Sequence, residues 1–304
     1  MQAAVTTALK PLTALLPEIK AGQSVELLKE LHILTREGKL NQDSRRKLKQ
    51  VYHLFHFIEK LLIELTTGDG AASDGARAGA RAQGITVADH GAGKSYLGFI
   101  LYDFFFRERG NGWIYGIEAR QELVQRSRSL ATRLGFQRMS FVNLSVSDSI
   151  ESDLLPDRID LVTALHACDT ATDDAIHFGL RKQARFMALV PCCQAEVARV
   201  LNAGKALSLA RTPLAELWRH PLHTREMGSQ LSNVLRCLYL EACGYQVTVT
   251  ELVGWEHSMK IELIIARYIG QRKQSAAHRL QAILDQFGLQ ELMRTRFDLQ
   301  AAAH

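Results

Sequence analysis

Apolar and polar positions along this chain change period several times, and each change marks an element. Leu27, Leu28, Leu31 and Leu34 recur at helical spacing behind Ser24, whose hydroxyl suits an N-cap, so a helix is expected over Val25 to Glu37. A second helix, from about Ser44 to Leu65, opens on Arg45-Arg46-Lys47-Leu48-Lys49 and sets Tyr52, Leu54, Phe55, Ile58, Leu61 and Leu62 along its apolar positions. Residues 68–84, rich in Gly, Ala, Ser and Asp, support neither period and predict a linker.

Beyond the linker, short apolar runs alternate with helical stretches. Strands are expected at Ile85 to Ala88, Trp113 to Glu118, Met139 to Leu144, Arg158 to Leu165 and Phe186 to Val190. Helices are expected at Tyr96 to Phe106 and Gln121 to Leu134. Gly244 to Val253 and Ile261 to Tyr268 form a late pair, close enough to be an antiparallel hairpin, and Gln274 to Leu292 reads as a terminal helix or helix pair. This alternation predicts an α/β fold: a Rossmann-like, seven-stranded, doubly wound sheet with an N-terminal helical extension and a C-terminal helix. The expected division is a helical cap over 1–67, the linker 68–84, the α/β domain over 85–270 and a helical extension over 271–304.

Composition narrows the class. At 304 residues, 47% hydrophobic and 23% charged, the chain suits a globular protein with a large core. No apolar run reaches the ~18 residues of a membrane span and no leader pattern opens the sequence, so no membrane partner and a cytoplasmic location are expected. Five cysteines, two of them the adjacent Cys192-Cys193, do not resemble a disulfide framework. The net charge of +5 is unevenly placed: residues 1–67 and 267–304 each carry an excess of three basic residues, while 68–266 is almost balanced. Basic flanks are consistent with a polyanion partner, RNA, although an excess this small also suits ordinary solvated helices.

The most informative stretch is Asp89-His90-Gly91-Ala92-Gly93-Lys94-Ser95-Tyr96, a strand end running through a glycine turn into a helix. Gly93-Lys94-Ser95 could close a P-loop, but Ala88 stands where its first glycine is required. A dinucleotide fingerprint would place a third glycine where Tyr96 stands, and Asp89 would repel a pyrophosphate. S-adenosylmethionine has no phosphate and carries a cationic sulfonium, so an acid at the strand tip attracts it. Glu118, ending the second strand a little over twenty residues on, is placed to accept hydrogen bonds from ribose hydroxyls. The candidate donor contacts are therefore Asp89, Gly91, Ala92, Gly93, Tyr96 and Glu118, with Ser145 and Asp148 after the third strand and His166 after the fourth.

The ligand crevice of such a sheet lies outside the carboxyl ends of its strands, which directs attention to His166-Ala167-Cys168-Asp169-Thr170-Ala171-Thr172-Asp173 and Pro191-Cys192-Cys193-Gln194. The catalytic candidates are His166, Cys168, Asp169, Pro191, Cys192 and Cys193. His166 or Asp169 could accept a proton during direct in-line transfer, or a cysteine could add covalently to a pyrimidine ring. His166 could equally be bonded to a loop carbonyl, and buried cysteine is a common core residue. His166, Cys168, Cys192 and Cys193 could in principle surround zinc, but adjacent cysteines suit one tetrahedral ion poorly, so no metal is expected. Trp255-Glu256-His257 and Lys260 lie between the last two strands, a connection that can reach the mouth of the crevice, although a tryptophan there more often packs against a helix end than stacks on a base.

These three motifs, Asp89 to Leu97, Leu165 to Asp173 and Pro191 to Gln194, resemble the class I S-adenosylmethionine-dependent methyltransferase domain of several bacterial proteins. They are similar also to the methyltransferase domain of the eukaryotic glutathione S-transferase C-terminal-domain-containing protein and, more distantly, to a tRNA 2′-O-methyltransferase family, whose cysteine/histidine zinc-finger segments this chain lacks. The resemblance spans roughly residues 44–268. It implies S-adenosylmethionine as methyl donor and RNA as acceptor; a protein side chain, a small molecule, or a non-catalytic role as a cofactor-fold scaffold are the alternatives.

Overall fold

The computed structural model describes residues 19, 22–67, 84–192, 195–204, 213–252 and 261–300. Its elements in chain order are α1 (Val25–Glu30), α2 (Gln42–Thr67), β1 (Thr86–His90), α3 (Tyr96–Leu101), β2 (Trp113–Glu118), α4 (Gln121–Leu134), β3 (Met139–Asn143) and α5 (Val146–Glu151). There follow β4 (Leu161–Cys168), α6 (Ala171–Arg181), β5 (Phe186–Cys192), α7 (Glu196–Gly204), α8 (Pro221–Ala242), β6 (Tyr245–Leu252), β7 (Ile261–Tyr268), α9 (Gln274–Phe287) and α10 (Gln290–Thr295). The strands form one sheet in the order β3-β2-β1-β4-β5-β7-β6, parallel throughout except for β7, which runs antiparallel to β5 and β6. The expected seven-stranded α/β sheet is thus the observed one. Strand order reverses between β1 and β4, and in a doubly wound sheet that switch point opens the ligand crevice.

Side chains alternate along the central strands, so each face of the sheet has its own core. Val87 and Leu161 face a cluster that includes Leu28 of α1 and Phe55, Ile58 and Leu62 of α2. Ala88 and Val162 face the opposite cluster, which takes in Phe178 of α6, Leu235 of α8, Leu280 and Leu284 of α9 and Leu292 of α10. Each flank thus joins the core on its own face, the C-terminal one through the packing of α9 on α8. Burying one side chain such as Phe55 or Leu62 removes apolar surface worth about 1.5–3 kcal/mol, which gives the terminal helices a large share of the core. Polar ties add registration: Glu64 of α2 pairs with Arg267 and lies 3.9 Å from Arg185, while the buried Asp103 accepts from the Ser24 backbone at 3.0 Å.

Several boundaries differ from the periodicity, each for a local reason. α1 stops at Glu30, well short of Glu37, because His32 takes a left-handed conformation (φ 52°) and Ile33 N donates to Leu28 O, which closes the helix. The helix after the glycine turn widens to a π segment at Tyr102–Phe106 before a last turn at Arg107–Arg109. Gly288 (φ 68°) divides the terminal stretch into α9 and α10. β4 and β5 both run further than expected, through Cys168 and Cys192, so His166-Ala167-Cys168 and Pro191-Cys192 belong to the strands themselves. Among the described residues, no helix is long and apolar enough to cross a membrane.

Candidate active site

The glycine turn leaves β1 at the switch point. Gly91 (φ 64°) and Gly93 (φ 58°) adopt left-handed conformations that side chains rarely take. A Cβ on Gly91 would meet nothing within 4 Å, and one on Gly93 would have only Arg120 Nη2, at 4.0 Å, so backbone here faces open space. The turn is tied to β2 at two points: Ala92 N donates to Ile117 O at 2.9 Å, and Gly93 N donates to Glu118 Oε2 at 2.8 Å. Glu118 Oε1 accepts from Arg120 N at 3.0 Å and Arg120 Nε at 2.9 Å. Burial alone would raise the pKa of this carboxyl, but the bonds and charge of Arg120, with the Gly93 amide, outweigh it and hold it below the usual carboxylate range. Asn143 Nδ2 donates to the carbonyls of Glu118 (3.0 Å) and Ala119 (2.8 Å), fixing the strand end that carries the acid.

Asp89 has a different position from the one its place in the motif suggests. It is 2% exposed, with Oδ2 accepting from Ser95 Oγ at 2.9 Å and Oδ1 from Thr163 Oγ1 at 3.1 Å. The carboxylate therefore lies beneath the turn, bracing it against β4, and any attraction for a cation is exerted from below. Desolvation pushes its pKa up to about 6 despite those hydrogen bonds. Ser95 itself is fully buried and left-handed (φ 51°), and that conformation turns its hydroxyl back to Asp89. Close packing extends outward from this pair. A Cβ on Gly98 would lie 2.5 Å from Ser95 Oγ, and one on Gly116 would lie 2.5 Å from Phe141.

His90, the next residue, points to the other face of the sheet. It is buried beside the Phe178 ring, 5.2 Å away, and neither of its ring nitrogens has a hydrogen-bond partner among the described residues. Desolvation lowers its pKa to about 4, so the ring is neutral near pH 7. His90, Ser95, Thr163 and Gly98 are site residues that motif reading does not nominate. Only the glycine, within the first turn of a helix, carries a signal in the sequence.

The remaining candidates lie around the same end of the sheet. Tyr96 is half-buried in the first turn of α3, with Lys94 Nζ 5.8 Å above its ring. Ser145 caps α5, accepting from Asp148 N at 3.3 Å, which leaves both exposed past the end of β3. The tips of β4 and β5 are paired: Ala167 with Pro191 and Cys168 with Cys192, after a register shift between Leu165 and Ala167. Pro191 is buried. The side chains of His166, Cys168 and Cys192, and residues Cys193, Gln194, Trp255, Glu256, His257 and Lys260, lie outside the described residues. Among the described residues no group of three or more His, Cys, Asp or Glu could hold a metal.

Asp169 departs from the expected role of an open proton acceptor. Its Oδ1 accepts from Ala195 N at 2.9 Å and Glu196 N at 2.8 Å, and Oδ2 faces Arg199 Nη2 at 3.3 Å. The carboxylate is thus committed to the start of α7. Asp173, one turn on, is buried in a two-point ion pair with Arg236, at 2.8 Å and 2.6 Å.

A glycine turn at the switch point of a doubly wound sheet, an ionised acid at the tip of β2 and an antiparallel β7 together define an α/β enzyme of the methyltransferase class. The chain belongs to the family described as a methyltransferase domain, which matches residues 46–200, just over half its length. It is an S-adenosylmethionine-dependent methyltransferase. Open space over Gly91 and Gly93, which side chains there would fill, and acceptor capacity at Glu118 fit that donor. No curated protein matches the chain. Similar solved structures include a putative O-methyltransferase from Klebsiella pneumoniae (16% identity, 84% of this chain and 94% of that one, TM-score 0.47). Others are the magnesium protoporphyrin IX methyltransferase of Synechocystis with bound SAH (13%, 81% and 95%, TM-score 0.41) and an rRNA methylase from Streptococcus thermophilus (8%, 61% and 87%, TM-score 0.38).

Proposed function

We propose that the protein transfers the methyl group of S-adenosylmethionine to an oxygen or nitrogen atom of RNA. The observation that carries this reading is the adjacency, across the β4–β5 ladder, of two strand tips that resemble those of tRNA 2′-O-methyltransferases, beside a donor turn rimmed by the exposed cations Lys94 and Arg120. The basic excess on both flanking segments supports it, since phosphate attraction needs no base-specific contact. When bound, the donor supplies an electrophilic methyl on a sulfonium. Gly91, Ala92, Gly93, Tyr96 and Glu118 would hold it over the turn that Asp89 braces from beneath, Glu118 through the ribose hydroxyls, with Ser145 and Asp148 toward the adenine. His166, on the last residues of β4, would take the proton that the acceptor atom loses as its new bond to carbon forms.

The deciding experiment is transfer of a radiolabelled methyl group from S-adenosylmethionine to total RNA from cells lacking the gene. Label in RNA is expected; label in protein alone would make the acceptor a side chain. A second reading rests on the Cys168–Cys192 pairing, which supports covalent activation of a pyrimidine by a thiolate. Serine replacements of Cys168, Cys192 and Cys193, made one at a time, separate the routes: direct transfer survives all three, and the covalent route does not.

A further inference from the structure

Asp169 ties the tip of β4 to the start of α7. It follows β4 directly in a left-handed conformation (φ 51°), and from there its carboxylate accepts from the amides of Ala195 and Glu196 at the start of α7. The Cys168–Cys192 strand pair lies immediately before Asp169, so the contact continues the β4–β5 ladder by one further tie. The backbone of Asp169 is held as well: its carbonyl accepts from Arg236 Nη2 at 2.9 Å, and Arg236 is only 2% exposed. Glu196, whose amide Asp169 caps, is gripped in turn by Arg296 beyond α10, with Arg296 Nε 3.0 Å from Glu196 Oε2. Arg296 O is 2.8 Å from His177 Nε2 of α6, which anchors the segment on the helix that follows Asp169.

We propose that Asp169 is a positioning residue that staples the tip of β4 to the start of α7, and that Arg296, from the C-terminal extension, locks the same staple from outside. The start of α7 is thereby held at one distance from the tip of β4, and in-line transfer depends on such fixed spacing because a small misplacement of reacting groups is costly. The proposal rests on the methyltransferase reading above but makes a different demand on the side chain. A proton acceptor needs a carboxylate. A helix cap needs only an oxygen acceptor, and asparagine caps about as well as aspartate.

The test compares Asp169→Ala, Asp169→Asn and Arg296→Met in the full chain. Initial rates are measured with S-adenosylmethionine and total RNA from cells lacking the gene, donor affinity by calorimetry, and amide hydrogen exchange over residues 193–204. Asp169→Ala is expected to lower kcat about tenfold or more with donor Kd changed by less than about threefold, whereas Asp169→Asn stays within about threefold of the parent in both. Exchange over 193–204 is expected to quicken roughly fivefold in Asp169→Ala and measurably in Arg296→Met, but not in Asp169→Asn. An Asn variant as inactive as the Ala variant, with unchanged exchange, would overturn the proposal and restore Asp169 as the base. Unchanged exchange in Arg296→Met would remove the outer lock. Should the parent protein fail to bind S-adenosylmethionine or to methylate RNA, the functional reading fails, and exchange alone then decides whether the staple exists. If the Ala variant does not fold, the Asn variant still separates the roles, since loss of a proton acceptor would cost it on the order of a hundredfold in rate.

Discussion

Asp89 and His90 are buried neighbours that titrate in opposite directions, and this makes the response of stability to pH a sharp test of the site. Asp89 is raised from 3.8 to about 6, so the folded state takes up a proton that the unfolded chain does not. As pH falls from about 6 to about 4 this stabilises the fold, by on the order of 3 kcal/mol if each pH unit is worth about 1.4 kcal/mol. His90 is lowered from 6.5 to about 4, so over nearly the same window the unfolded chain takes up a proton that the fold refuses, a loss on the order of 3 kcal/mol. In the parent protein the two nearly cancel between pH 4 and 6. In Asp89→Asn the first contribution disappears and the His90 loss stands alone. Relative to the parent, the variant is therefore expected to lose on the order of 3 kcal/mol on acidification from pH 6.5 to 4. The hydroxyls of Ser95 and Thr163 can rotate to serve the amide, which keeps the turn intact. Urea unfolding followed by tryptophan fluorescence at several pH values measures the difference, from which titrations common to both proteins drop out. A His90→Phe variant should show the reverse slope. If Asp89→Asn and parent curves run parallel over this range, Asp89 is not a desolvated buried acid and its bracing role fails.

Further outcomes follow from the same geometry. Glu118→Gln keeps the size of the side chain but loses the charge that pairs with Arg120, and it should weaken S-adenosylmethionine binding roughly tenfold by calorimetry while shifting the unfolding midpoint little. Gly98→Ala drives a methyl group to within 2.5 Å of Ser95 Oγ, so a destabilisation of about 1–3 kcal/mol in urea unfolding is expected, with donor affinity lost as the turn shifts. Arg236→Met leaves Asp173 buried without its partner and should cost about 3–5 kcal/mol by the same measurement.

Much of the architecture was legible because it is written in local periods. The limits of β2, α4 and β7 follow from their apolar runs and flanking turn residues, and the order of helices and strands was enough to predict a doubly wound sheet. The ends of β4 and β5 were missed for a physical reason. Short runs such as His166-Ala167-Cys168 and Pro191-Cys192 carry no strand period of their own, and what extends these strands is the pairing of Ala167 with Pro191 and Cys168 with Cys192 beyond a register shift at His166. α1 was overestimated because His32 closes it in a conformation for which glycine is the usual signal.

The amino-acid sequence by itself determined the class of the protein. A glycine turn after a buried strand, an acid at the next strand's end and a late strand pair are short-range patterns, each readable within a few tens of residues. Only the tertiary structure decided what the individual side chains do. Asp89 proves to brace the turn from beneath because Ser95 and Thr163 close over it, and Asp169 proves to cap α7 because folding carries Ala195 to its carboxylate. The helical flanks, which read as additions, prove to be part of the cores on the two faces of the sheet. Such assignments depend on partners distant in the chain, and a carboxylate has no fixed role until folding settles whether water, a hydroxyl or a backbone amide stands beside it.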